Sequence, residues 1–273
     1  MGQAVTVTTT DGIARVVFDN PPINLMTLEV FVSAAQTFAA LAADDDVRVV
    51  IVSSANPDFF VAHFDVEAIL GFPVDSPPAT ELNYFHVMCE TLRTMPKATI
   101  AVIEGRVGGG GSEMALSCDM RFARRGNGDD GGAVFNQPEV ALGIIPGGSG
   151  TQRLSRLMGR SRALEVVLSC DDVDAETAEA WGWVNRSLPA TELWPFVNRL
   201  ARRIASFPPH AVASAKAAVL RAEKGVPEDL LAEGNAFSAL LHRPETQEAM
   251  RSFLALGGQT PEGEKRLGAL FDT

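Results

Sequence analysis

The chain has 273 residues, 46% of them apolar, which suffices for one large domain or a domain with an appendage built on a sizeable core. A formal charge of −11 excludes a nucleic-acid surface, which needs clustered Lys and Arg, but still allows an anionic ligand at a helix N-terminus. Three scattered cysteines without a CxxC argue against a disulfide framework and a zinc site, no apolar run approaches the roughly 20 residues of a membrane helix, and the first ten residues lack the pattern of a signal peptide, so a cytoplasmic protein with no membrane partner is expected.

Residues 5–18 read as two alternating β-runs around Asp11-Gly12, a hairpin signal. After Pro21-Pro22, helical periodicity begins at Thr27, a side-chain N-cap. Residues 47–55 are a continuous β-branched run, as in a strand buried on both faces. The aromatic loop 57–64 leads into a short helix from Asp65, and a Pro-rich break over 71–79 precedes a helix at about 79–95. Residues 98–103 form another buried strand, which runs into four glycines, Gly108 to Gly111, and a helix opening near Gly111 with Glu113 in its first turn. Strands within 119–125 and 133–139 flank a polar stretch that reads as an exposed hairpin loop. From about residue 149, with Ser149 or Thr151 as cap, the pattern is nearly all helical, and Pro208-Pro209 marks the expected boundary between a core of residues 1–205 and a helical region of residues 206–273.

Three stretches carry chemistry. The strand–glycine–helix unit at 98–116 offers unpaired N–H groups and a positive helix end. It lacks the Gly-Lys-Ser/Thr of a phosphate loop and the spaced GxGxxG of a dinucleotide fold, and Glu113 would repel a phosphate. A carbonyl oxygen that turns negative only in a transition state fits better, and tight helix–strand packing is the plainer alternative. In the second stretch, 135–154, Glu139 follows Pro138; such a glutamate is commonly a solvated cap, but two carboxylates flanking a site could hold a water and exchange its proton. In the third, 57–69, the backbone N–H near Phe64 could be a second donor.

With these stretches in order, the chain resembles the crotonase (enoyl-CoA hydratase/isomerase) superfamily. The segments GIARVVFDNPPINLMT, IEGRVGGGGSEMALSCDMRFA, QPEVALGIIPGGSGTQRL and PETQEAMRSFL, beginning at residues 12, 103, 137 and 244, carry the resemblance. It implies an α/β fold, a spiral of ββα units with two roughly perpendicular sheets over 1–205, and a C-terminal helical trimerisation region over 206–273. A homotrimer or dimer of trimers follows, with an acyl-CoA thioester as substrate. Coenzyme A is then part of the substrate, and neither a separate cofactor nor a metal is implied. The resemblance places an oxyanion hole at the N–H groups of Phe64 and Gly110, the catalytic pair of the hydratase branch at Glu113 and Glu139, and substrate-binding neighbours at Ala62, His63, Asp65, Gly109, Pro138 and Gly147.

The expected reaction is syn addition of water to a 2-trans-enoyl-CoA, giving a 3-hydroxyacyl-CoA. The alternatives are an enoyl-CoA isomerase or other enolate-forming enzyme, which needs mainly Glu139, and a non-catalytic acyl-CoA-binding paralogue. One departure stands out. Ala62-His63-Phe64-Asp65 replaces the Ala-Gly-Ala-Asp of typical hydratases. His63 reads as a partly exposed structural substitution, because no His or Asp partner for it can be placed in sequence, with a further acid/base as the alternative. Residues 71–86 are expected to shape the acyl pocket, Trp181 and Trp183 to pack in the core, and Lys216 and Lys224 to lie on the surface.

Overall fold

The computed structural model describes residues 3–73, 77–126 and 131–271. Strands β1 (Val5–Thr10) and β2 (Ile13–Phe18) pair antiparallel around Asp11 and Gly12, both at positive φ as a two-residue hairpin turn requires. Helix α1 (Leu28–Ala43) follows, with the Thr27 hydroxyl accepting from the Val30 N–H. Next come β3 (Val49–Ser54), β4 (Phe59–Val61), α2 (Val66–Leu70) and α3 (Tyr84–Thr94), then β5 (Ala98–Ile103), β6 (Arg106–Gly108) and α4 (Gly109–Leu116). Strands β7 (Met120–Arg124) and β8 (Val134–Asn136) precede a 3-10 turn over Glu139–Leu142. Helices α5 (Gly150–Met158) and α6 (Arg160–Ser169), β9 (Val173–Asp174), α7 (Ala175–Trp181), β10 (Arg186–Leu188) and α8 (Ala190–Ala205) complete the first part. Four helices end the chain: α9 (Pro209–Leu220), α10 (Val226–Leu241), α11 (Pro244–Ala255) and α12 (Pro261–Glu264).

The strands form a six-stranded sheet, β1-β2-β3-β5-β7-β10, and a four-stranded sheet, β4-β6-β8-β9. Three successive pairs, β3/β4, β5/β6 and β7/β8, each give their first strand to the large sheet and their second to the small one, which is the repeating turn of a spiral. All pairings between these units are parallel. Strands β3 and β5 are buried almost throughout, as their β-branched runs predict. Side-chain alternation divides them: Val50, Val52, Ala101 and Ile103 join the main core, whereas Val49, Ile51, Ile100 and Val102 pack against Leu193, Val197 and Ala201 of α8. A third cluster joins Val66 and Ile69 of α2 to Leu142, Ile144, Leu241, Met250 and Phe253, so the C-terminal helices close over the first part.

Several sequence expectations shift. The polar stretch between β7 and β8 does not close a hairpin, because these strands belong to different sheets; residues 127–130 lie outside the described residues. Helix α3 starts at Tyr84 and not near 79, since Asn83 caps it by accepting from the His86 N–H. Helix α4 starts at Gly109, two residues early, which moves Glu113 into its second turn. Ser149 sits at the N-cap of α5 without capping through its side chain, and its φ is +106°. Trp183 is buried, as expected, whereas Lys216 is half-buried and paired with Asp119 at 2.9 Å.

The early start of α4 follows from its contact with β4. A Cβ on Gly111 would lie 2.2 Å from the Val61 carbonyl oxygen, a backbone atom that cannot rotate away. Gly111→Ala is therefore expected to destabilise the protein by about 1–3 kcal/mol or more in urea unfolding. The control Gly131→Ala, at a position with open space around it, should cost less than about 0.5 kcal/mol.

Candidate active site

The glycine-rich N-terminus of α4 faces the turn that leaves β4. Gly110 is the second residue of the helix, so its N–H has no intrahelical acceptor. On the facing turn, Met26 forms a bridge with Phe64: the Met26 N–H donates to the His63 carbonyl at 2.9 Å, and the Asp65 N–H donates to the Met26 carbonyl at 3.1 Å. The Phe64 N–H takes no part in that bridge and is directed away from Met26. A Cβ on Gly110 would stand 3.5 Å from the Phe64 nitrogen and 3.2 Å from the Phe64 Cβ. Any side chain at 110 would fill the gap between the two peptide units. The bond to the His63 carbonyl also polarises the peptide whose N–H is Phe64's, strengthening it as a donor.

Both glutamates open onto the same cavity, of about 410 Å³. Glu113 Oε1 accepts the N–H groups of Gly148 and Gly150, each at 2.8 Å. Gly148 and Gly150 flank Ser149, whose left-handed backbone aims both N–H groups inward. Glu139, on the 3-10 turn, has Gln137 Nε2 at 3.3 and 3.4 Å from its two oxygens. That amide and Glu113 Oε1 lie 2.9 and 3.0 Å from where a Cβ on Gly150 would stand, so a side chain there would disturb both glutamates. Glu139 is buried, unlike the solvated cap that a Gln-Pro-Glu turn commonly forms.

Burial pushes Glu113 well above the ordinary carboxylate range, and the charges of Glu139 and Glu233 push it further, against the pull of its two N–H bonds. Burial likewise raises Glu139, to about 7, while backbone hydrogen bonding, the nearby His63 and Gln137 restrain it. A pair raised in this way can hold one proton between two carboxyls near neutral pH, one group acting as acid and the other as base. Cys89 and Cys118 supply no thiolate, because burial pushes both up to about 12. Among the described residues no group of three His, Cys, Asp or Glu side chains is placed to hold a metal ion.

Of the residues expected from the sequence, His63, Phe64, Gly109, Gly110, Glu113, Pro138, Glu139 and Gly147 line the cavity. Ala62 and Asp65 do not: Ala62 packs behind the wall with Ile23 and Phe59, and Asp65 caps α2 by accepting from the Glu67 N–H. Phe72, Pro73, Asn83, Tyr84 and Phe85 line it from the 71–86 segment, whose residues 74–76 lie outside the described residues. His63 is 4% exposed, not partly exposed, and its Nε2 lies 3.0 Å from Glu264 Oε1. That partner is 201 residues away, which no local sequence signal could supply. Also missed were the N–H groups of Gly148 and Gly150, the C-terminal wall of Phe237, Leu241 and Phe253, and the buried Glu233. Glu233 bonds to His86 Nε2 at 3.3 Å and accepts from both the N–H and the hydroxyl of Thr151.

Nearly the whole chain is similar to proteins of one family. The family model described as enoyl-CoA hydratase/isomerase matches residues 8–258. "Probable enoyl-CoA hydratase 2, mitochondrial" of Arabidopsis thaliana is 34% identical over 89% of this chain and 79% of its own length. The crotonyl-CoA hydratase of Syntrophomonas wolfei is 31% identical over 88% of this chain and 90% of its own. A crystal structure of a candidate enoyl-CoA hydratase from Streptomyces avermitilis superposes with a TM-score of 0.88 at 39% identity, covering 98% of this chain and 97% of that one. Among the described residues no helix is long and apolar enough to cross a membrane.

The raised carboxyls predict a pH dependence of stability. Between about pH 4.5 and 7 the folded protein keeps a proton on Glu139 that the unfolded chain has lost, so this contribution is full below 4.5 and falls away as pH rises through 7. Glu139→Gln, which cannot ionise, is expected to exceed wild type in stability by about 2–3 kcal/mol at pH 8 and to lose that advantage by pH 4. Urea unfolding at the two pH values measures the difference.

Proposed function

Because the chain belongs to the enoyl-CoA hydratase/isomerase family, we propose that it is an enoyl-CoA hydratase, adding water syn to a 2-trans-enoyl-CoA to give a 3-hydroxyacyl-CoA. One observation carries this reading: two buried glutamates, Glu113 and Glu139, open onto the cavity that is also lined by Phe64 and Gly110. A thioester carbonyl oxygen seated at the N–H groups of Phe64 and Gly110 would have its developing enolate charge stabilised there and by the end of α4. Water held between the carboxyls would lose a proton to whichever of Glu113 and Glu139 is ionised as its oxygen bonds to Cβ, the protonated one would deliver a proton to Cα, and the two would then exchange a proton to reset. Coenzyme A enters and leaves as part of the substrate, with no other cofactor.

The acyl group in this reading is apolar. Phe31, Phe64, Phe72 and Phe85 form a continuous set of ring contacts, with centroids 5.8–6.1 Å apart, beside the proposed carbonyl position. Phe237 and Phe253 close the far wall. The helical region 206–273 is proposed as the contact between copies in a trimer or dimer of trimers. Helix α9 supports this, because it is rich in Ala and Val yet buries none of its residues within one chain.

Loss of the conjugated enoyl-thioester absorbance tests the reaction, with crotonyl-CoA and then longer and aromatic enoyl-CoAs. Turnover is expected, with Glu113→Gln and Glu139→Gln each lowering kcat about 10²-fold or more and the double variant inactive. If Glu113→Gln keeps substantial activity on a 3-enoyl-CoA, the isomerase reading replaces this one. If CoA esters bind without turnover across the panel, the protein is a binding paralogue.

A further inference from the structure

His63 sits between the turn bearing the Phe64 N–H and the last helix of the chain. Its Nδ1 is 2.8 Å from the Phe64 carbonyl oxygen, and its Nε2 is 3.0 Å from Glu264 Oε1. A carbonyl oxygen only accepts, so Nδ1 carries a proton. Glu264 Oε1 also accepts the Gln259 N–H at 2.7 Å, and donors directed at a carboxyl favour its ionised form, whereas Oε2 is buried with no partner among the described residues. With Glu264 ionised, Nε2 donates as well, and the ring is then an imidazolium. Burial opposes that charge, but the charge and hydrogen bond of Glu264 outweigh it, leaving His63 above its ordinary value and Glu264 below its own.

The His63 side chain also neighbours Glu139. Its Cβ and Glu139 Oε1 each lie 3.1 Å from where a Cβ on Gly109 would stand. His63 is the one basic residue among the described residues lining the cavity. The charged groups around it are Glu264 on α12, Glu139 on the 3-10 turn, and Asp65 on its own turn, held by Gln259 Nε2 at 3.1 Å. Arg106 of β6 acts on Glu264 from behind while paired with Asp172. Phe253 meets the ring edge-on at 5.9 Å.

We propose that His63, fixed by Glu264, is a positioning residue of the acyl-CoA site: it locks the turn that presents the Phe64 N–H, and its charge makes an ionised carboxyl at Glu139 tolerable beside Glu113. The catalytic half of this statement rests on the hydratase reading, whereas the electrostatic half does not.

The test therefore begins without turnover. Glu carboxyl carbons and His ring nitrogens are labelled, and their NMR titrations are followed in wild type, His63→Gln, Glu264→Gln and the double variant. In wild type both ring nitrogens of His63 are expected to be protonated at pH 7. Glu139 should titrate about half a unit to two units higher in His63→Gln, from loss of one charge at this range. Glu264→Gln should move Glu139 the same way, and the double variant no further, because the pair acts as one unit. If His63→Gln does not fold, Glu264→Gln and the wild-type ring spectrum decide.

With whichever enoyl-CoA wild type hydrates, His63→Gln should lower kcat about 10- to 100-fold with KM within about threefold, and both limbs of the kcat/KM profile should move to higher pH. A neutral ring at pH 7, an unmoved Glu139 titration, or a fall in kcat with both limbs in place would overturn the proposal, since a merely structural histidine lowers stability without moving them. A shifted Glu139 titration in a protein that hydrates no enoyl-CoA would sink the hydratase reading and leave the electrostatic role of His63 standing.

Discussion

The backbone of α4 lies against β4 with no room for a side chain between them, and the rest of the site depends on that contact. The Val61 carbonyl occupies the volume a Cβ on Gly111 would need, and the Ala62 carbonyl crowds Gly108 in the same way. Glycine is costly to order in a helix, so four in succession make physical sense only where backbone must approach backbone. The approach brings the free N–H of Gly110 beside the Phe64 turn. It also sets Glu113 on the second turn of α4, within reach of the N–H groups around Ser149. A helix displaced outward by one methyl group would separate all three.

The electrostatics follow from that placement. Two carboxyls buried near each other cannot both ionise cheaply, and the surroundings divide the burden unequally. Glu113 has two backbone donors and the repulsion of Glu139 and Glu233; Glu139 has a weakly bonded amide and a nearby imidazole. Environments of this kind let chemically identical side chains take opposite roles in proton transfer.

The C-terminal helices complete the arrangement through two buried histidine–glutamate pairs. Glu264 reaches back to His63, and Glu233 to His86 and Thr151. Thr151 directly follows Gly150, which donates to Glu113, so each pair braces an element that carries one half of the site. Gln259 adds to the clasp by accepting the Val66 N–H at 2.6 Å. Apolar packing of Leu241, Met250 and Phe253 on α2 and on Leu142 and Ile144 holds the same seam. Closure of the cavity and the position of the Phe64 turn are thus properties of one interface.

Much of this was legible in the sequence, where the signal is local. The hairpin at Asp11-Gly12, the Thr27 cap, the buried strands β3 and β5 and the glycine run that opens α4 are each written in a few adjacent residues, because turn conformation, capping and strand burial depend on neighbours in the chain. The ordered motifs around Gly110, Glu113 and Glu139 placed the chain in its family for the same reason. Contacts between distant residues were not legible. Sequence spacing cannot tell that β7 and β8 part into different sheets, that Gly148 and Gly150 donate to Glu113, or that Glu264 meets His63 across 201 residues. Those outcomes are decided by which elements share a core, and a buried charge finds its partner only once the chain has closed around it.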